Sequence, residues 1–223
     1  MRDLDRKGSM RRDESPKSVQ PREVFSEVPD PAPPSRQGVV FVGTAGWSYK
    51  DWEGTVYPKP APRGFDPMTY ILGFVDAIEV NSTFYRPPSP SSARKWALKA
   101  EINPRSRLTV KIWRGFTHER TGLLERDVTL FRKGIEPIQE EGRLGCLLLQ
   151  FPWSFKNDEG SRARLDRLLD TFRPYPRAVE IRHASWNHPE FFRRLADRNV
   201  GFVNIDQPVI GKSLEPTAKA SGP

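Results

Sequence analysis

Residues 77–81 read Ala-Ile-Glu-Val-Asn, and residues 107–113 read Arg-Leu-Thr-Val-Lys-Ile-Trp. Successive side chains of an extended strand point to opposite faces of its sheet. Ile78 and Val80 therefore share one face, and Glu79 and Asn81 the other. Likewise Leu108, Val110 and Ile112 lie opposite Thr109, Lys111 and Trp113. Two later stretches repeat the pattern. Val179 and Ile181 oppose Glu180 and Arg182, and Val203 and Ile205 oppose Asn204 and Asp206. An open parallel sheet covered on both sides would be apolar on both. Strands with one apolar face, and a second face turning polar toward the C-terminal end, belong to a TIM-type (β/α)8 barrel that delivers functional groups to its mouth.

Working outward, short apolar runs alternate with segments of helical period from Val39 onward. Strands are expected at Val39–Gly43, Ala77–Asn81, Arg107–Ile112, Gly145–Phe151, Ala178–Arg182 and Gly201–Asp206. Helices are expected at Pro67–Phe74, Ser91–Ala100, Leu124–Glu140, Ser161–Thr171 and Pro189–Arg198. Pro67 and Pro189 suit a first helical turn, and Ser91 and Ser161 suit N-caps. The result is an α/β chain of about six βα units, where closure usually takes eight.

Composition bounds the rest. Residues 1–37 hold six prolines, eight basic and seven acidic residues and few large apolar ones. They read as a disordered, Pro-rich charged tail, with the barrel domain in 38–223. The formal charge of +8 thus resides almost wholly in that domain. Cys146 has no partner for a disulfide and sits among leucines, as a buried thiol in a reducing compartment would. No apolar run is long enough to cross a membrane, and the N-terminus lacks the apolar core of a signal peptide. A cytoplasmic protein is expected.

The strand ends collect Glu79, Asn81, Lys111, Gln150, Glu180, Arg182 and Asp206, with His183 following at once. Charged groups in a packed interior must be paired, so a structural network Glu79–Lys111 and Glu180–Arg182 with Asp206 is one reading of the set. Its gathering at one end favours a site. Lys111 is expected as electrophile or base, Glu180 and His183 in proton transfer alongside Glu79, and Arg182 as an anion clamp. Five of six tryptophans follow strands. Of these, Trp47 and Trp186, with Tyr85 and His118, are expected to bind substrate, and Trp52 and Trp153 to staple loops. Glu79, Glu180, Asp206 and His183 could ligate a hard cation, but Lys111 and Arg182 beside them argue against it, and no metal or other cofactor is assigned. A Walker A loop and a Gly-x-Gly-x-x-Gly turn are absent. A small polar or anionic ligand is the preferred partner. Nucleic acid is the alternative, since the domain is basic but has no dense Lys/Arg run. Oligomeric state cannot be read.

Several motifs together resemble one family. They are Val-Gly-Thr-Ala-Gly-Trp-Ser-Tyr (42–49) with Trp52, Gly54 and Tyr57-Pro58, then Glu-Val-Asn-Ser-Thr-Phe-Tyr (79–85) with Pro87 and Trp96. Lys111, Thr117-His118, Leu149-Gln150-Phe151-Pro152, Val179-Glu180, Arg182-His183, Ser185-Trp186 and Asp206 follow in order. The chain from about 39 to 210 resembles the DUF72 (YecE-like) family. The resemblance implies a TIM barrel and no particular chemistry. It also implies further strands beyond the sixth, so the chain is expected to be a truncated product or one that depends on a partner for closure.

Overall fold

The computed structural model describes residues 38–119 and 123–221. The tail expected over 1–37 lies outside the described residues. Six strands form one sheet in the order β1 to β6, every neighbouring pair parallel. They are β1 (Gly43–Thr44), β2 (Ala77–Val80), β3 (Arg107–Lys111), β4 (Leu144–Gln150), β5 (Arg177–Glu180) and β6 (Gly201–Phe202). The helices are α1 (Pro67–Leu72), α2 (Pro90–Lys99), α3 (Arg114–Thr117), α4 (Glu125–Glu140), α5 (Glu159–Thr171) and α6 (Pro189–Asp197). Strand order that follows chain order, with crossovers of one hand, puts every helix on the same side. Among the described residues no pairing joins β6 to β1, so the sheet is an unclosed arc of TIM-barrel type.

The apolar strand faces meet the helices as the alternation requires. Ile78, Val80, Leu108, Val110, Ile112, Leu147, Leu149, Val179 and Ile181 are fully buried in one cluster with Met68, Leu72, Phe131, Ile135, Leu168 and Leu195. The opposite face carries no helices. Glu79, Thr109, Lys111, Cys146 and Gln150 on it are half-buried. Cys146, expected to be buried among its leucine neighbours, is half-buried, with its thiol on the uncovered side.

Helix starts follow elementary capping. Asp66 accepts from the Thr69 N–H (2.8 Å) ahead of Pro67, and His188 from the Glu190 N–H (3.3 Å) ahead of Pro189. Two expected caps move. Ser89, not Ser91, caps α2, because Pro90 takes the first helical position. Asp158, not Ser161, caps α5 by accepting the Ser161 N–H (2.7 Å).

Other boundaries shift too. β1 is regular only at Gly43–Thr44, and Val40–Val42 are exposed. A Cβ at Gly43 would lie 2.1 Å from the Ala77 carbonyl oxygen, so only glycine allows β1 and β2 to approach this closely. β6 ends at Phe202 rather than Asp206. Past it, the Asn204 side chain bonds the Lys219 main chain and the Thr217 hydroxyl, which turns the extended run into a local loop. α3 was not expected, since four residues show no helical period.

Candidate functional site

The C-terminal ends of β2 to β5 place four polar side chains on the uncovered face. The register sets Val80 beside Val110, Lys111 beside Leu148, and Gln150 beside Glu180. Lys111 Nζ lies 3.6 Å from Glu79 Oε1 and donates to Asn81 Oδ1 at 3.4 Å. Glu180 Oε1 accepts from Gln150 Nε2 (2.7 Å) and from Arg182 Nε (3.0 Å). The two ion pairs expected from the sequence thus form, but neither includes Asp206, which is exposed beyond the short β6.

Two neighbours fix Lys111 that strand parity could not supply. The Thr83 hydroxyl, in the 3-10 turn after β2, donates to the carbonyls of Val80 (2.7 Å) and Lys111 (2.6 Å), tying β2 to β3 at their ends. The Phe84 ring lies under the ammonium at 5.3 Å, and the His118 ring meets the same ring edge-on at 4.8 Å. Both sit inside the Glu-Val-Asn-Ser-Thr-Phe-Tyr stretch, so the motif itself was the available signal.

The electrostatics are asymmetric. Burial raises the Glu79 carboxyl above its usual range, the nearby Glu180 raises it further, and Lys111 only partly offsets this. Burial lowers His118, reinforced by Arg114, Lys111, Arg164 and Arg182, which favours a neutral imidazole. Its Nδ1 lies 2.9 Å from the Thr117 hydroxyl. Burial also pushes the Cys146 thiol up, which leaves it a poor nucleophile.

The other expected site residues make no hydrogen bond or ion pair with Glu79, Lys111 or Glu180 among the described residues. His183 sits in the loop layer past β5, its Nδ1 2.8 Å from the Ser185 hydroxyl. Trp186 is buried, stacked on Phe155 (5.2 Å) with its indole N–H donated to the Phe155 carbonyl, so it staples a loop and presents no open face. Trp153, expected as a staple, is instead 45% exposed, whereas Trp52 packs between Tyr49 and Tyr57 as a staple should. Trp47 is half-buried, edge-on to Trp96, and its carbonyl accepts the Tyr57 hydroxyl. Tyr85 is exposed, touching Phe84. Among the described residues no three His, Cys, Asp or Glu side chains converge as a metal site.

A family model described as "Protein of unknown function DUF72" matches residues 41–222. The chain belongs to the DUF72 family. Among solved structures, a DUF72 family protein from Thermotoga maritima is 32% identical with a TM-score of 0.69, covering 83% of this chain and 72% of that one. A DUF72 family protein from Enterococcus faecalis is 21% identical with a TM-score of 0.63, covering 71% and 60%. The UPF0759 protein YunF of Bacillus subtilis is 24% identical over 188 residues, 80% of this chain and 64% of YunF. This DUF72 chain therefore spans just under two thirds of the length of that relative. Among its described residues no helix is long and apolar enough to cross a membrane.

The Glu79–Lys111 cluster has a testable pH signature. Glu79 holds its proton more tightly in the folded chain than its ordinary value of 4.5 allows in the unfolded one. Its stabilising contribution is complete below that ordinary value and is lost as pH rises through the raised one. Glu79→Gln mimics the protonated form. Its melting temperature relative to wild type is expected to match at low pH and to exceed it progressively above the ordinary carboxylate range. A variant that instead falls progressively below wild type as pH rises would mean that the Lys111 pair outweighs burial.

Proposed function

We propose that this DUF72 protein binds a small polar molecule at the polar end of its uncovered face and exchanges a proton with it through Glu79. The observation supporting this is a half-buried carboxylate whose proton affinity is raised although an ammonium lies 3.6 Å away. An ion pair serving only as a plug would normally draw that affinity down. A carboxyl tuned upward is a better proton donor and acceptor for general acid–base work than an ordinary carboxylate.

The neighbours then take defined roles. Glu180 has one oxygen occupied by Gln150 and Arg182, which leaves the other to accept from a hydroxyl or amine of the ligand. Lys111 stabilises negative charge developing on the ligand. Neutral His118 and Phe84 wall the site from one side.

The test is a thermal-shift screen of sugars, sugar phosphates and small carboxylates against wild type, Lys111→Met and Glu180→Gln. At least one of these classes is expected to stabilise wild type and to lose that effect in both variants. Glu79→Gln is expected to retain binding of the same compound while failing to exchange its labile proton. Equal stabilisation of wild type and both binding variants would overturn the assignment.

A further inference from the structure

The loops after β3 and β4, with the first turns of α5, border a cavity of about 590 Å³. That volume is in the range of small-molecule sites. Two aromatic clusters contribute its walls. Phe116 is buried and held by the rings of Trp113 (5.3 Å), Phe131 (5.8 Å) and Phe172 (5.6 Å). Phe155 is buried and stacked on Phe151 (4.1 Å) and on Trp186 (5.2 Å). Leu123 and Pro152 add to the apolar lining. Rings packed on so many neighbours hold their places, so the space between them is preformed.

The polar lining carries an excess of positive charge. Arg164 and Arg167 both line the cavity, as residues three apart on one helix can. The Arg164 guanidinium donates to the carbonyls of Phe116 (2.9 Å) and Glu119, which ties α5 to the loop after β3 and fixes the cavity's width. Arg167 is exposed, and among the described residues it has no carboxylate within ion-pair distance. Asp158 is the one carboxylate among the described lining residues, and its Oδ1 accepts the Ser161 N–H (2.7 Å) as the cap of α5. His118 also lines the cavity. Its Nδ1 lies 2.9 Å from the Thr117 hydroxyl, and among the described residues its Nε2 has no hydrogen-bond partner. Burial favours the uncharged ring, so His118 adds a hydrogen-bonding group and no third cation.

The geometry points to a binding site for a small aromatic acid, its ring against Phe116 and Phe155 and its anionic group on Arg167, with His118 as a neutral hydrogen-bonding partner. Ring walls favour a flat ligand, which can meet them edge-on or offset. A guanidinium matches the forked oxygens of a carboxylate or phosphate. Two arginines oppose a metal cation, and a wholly apolar ligand would leave Arg167 unanswered. The loops at the C-terminal ends of parallel strands are where ligands of such sheets are held. The site is separate from proton exchange at Glu79, since Glu79, Lys111 and Glu180 are not among its lining residues. His118 alone touches both, lining the cavity and meeting Phe84 beside Lys111.

The probes are benzoate, phenyl phosphate and the uncharged benzyl alcohol, titrated at constant ionic strength by calorimetry. The chain has three histidines, so the His118 ring signals can be followed individually by NMR. Benzoate or phenyl phosphate is expected to bind saturably and to shift His118 at the same concentration, with benzyl alcohol at least about tenfold weaker. Whichever acid binds more tightly names the anionic group. Arg167→Ala, altered only at an exposed side chain, is expected to weaken the acid about tenfold and to leave benzyl alcohol unchanged. Ala163, exposed on α5, also lines the cavity, and Ala163→Trp is expected to fill it and abolish binding of all three. Lys111→Met is expected to bind the acid as wild type does. Non-saturating titrations, equal binding of acid and alcohol, or acid affinity unchanged in Arg167→Ala or Ala163→Trp would overturn the proposal. So would acid binding lost in Lys111→Met but kept in Ala163→Trp, since the ligand would then sit at the strand ends, where the Glu79 reading puts its own.

Discussion

Phe172→Ala is expected to cost about 3–5 kcal/mol of folding stability and to lower the melting temperature by about 10 °C. Phe172 follows α5 and is fully buried. Its ring touches Phe116 of α3 at 5.6 Å and Phe131 of α4 at 5.8 Å, and those two touch each other at 5.8 Å. The guanidinium of Arg132 lies over it at 5.9 Å. Residues of three helices therefore share one aromatic contact. The cost should sit near the upper part of the range, because collapse would require α3, α4 and α5 to move together. Urea unfolding followed by circular dichroism measures it. A loss below about 1 kcal/mol would show that the helices close the gap without strain.

Arg177→Met is expected to cost about 3 kcal/mol, nearly as much, for a different reason. Arg177 begins β5 on the helix-covered side and is 8% exposed. Among the described residues its guanidinium has no carboxylate within ion-pair distance. Instead it donates to the carbonyls of Leu169 (2.6 Å), Tyr175 (3.1 Å) and Arg198 (3.1 Å). Leu169 lies in the last turn of α5 and Arg198 caps α6, so one cation serves the negative ends of two helix dipoles. Methionine keeps the volume and strands the buried Leu169 carbonyl and two part-buried ones. Arg177→Lys should recover less than half, since a single ammonium cannot span the fork of contacts. Denaturant unfolding of the three proteins checks the order. Met equal to wild type would mean that water replaces the guanidinium at no cost.

The parts of this fold that were legible in the sequence are those set by period two. Glu79 against Ile78, and Lys111 against Val110, follow from strand geometry alone; the Glu79–Lys111 pair follows from the parallel pairing of β2 and β3, and the Glu180–Arg182 pair from two residues spaced i, i+2. Contacts made by loops were not legible. Thr83 reaches the Lys111 carbonyl because a 3-10 turn folds back across β3, and nothing in its spacing announces this. Aromatic residues after strands look alike in sequence, yet Trp186 is stacked inside while Trp153 stands exposed. What separates them is whether a neighbouring loop supplies a Phe155 to stack upon. His183 lies three residues past the end of β5, where strand alternation no longer places a side chain. Asp206 needed β6 to continue, and the side chain of Asn204 diverts the chain first.

The alternation along β3 has a genetic corollary. Leu108 and Val110 fill the core, while Thr109 and Lys111 lie on the uncovered face, in one five-residue strand. Substitutions can therefore alter one role and spare the other. Insertion or deletion of a single codon within this strand cannot, because it exchanges the two sets at once, turning Lys111 toward Phe131 and an aliphatic side chain toward Glu79. Length variation in the gene should accordingly be confined to the connecting loops, with the short strands held to a fixed count.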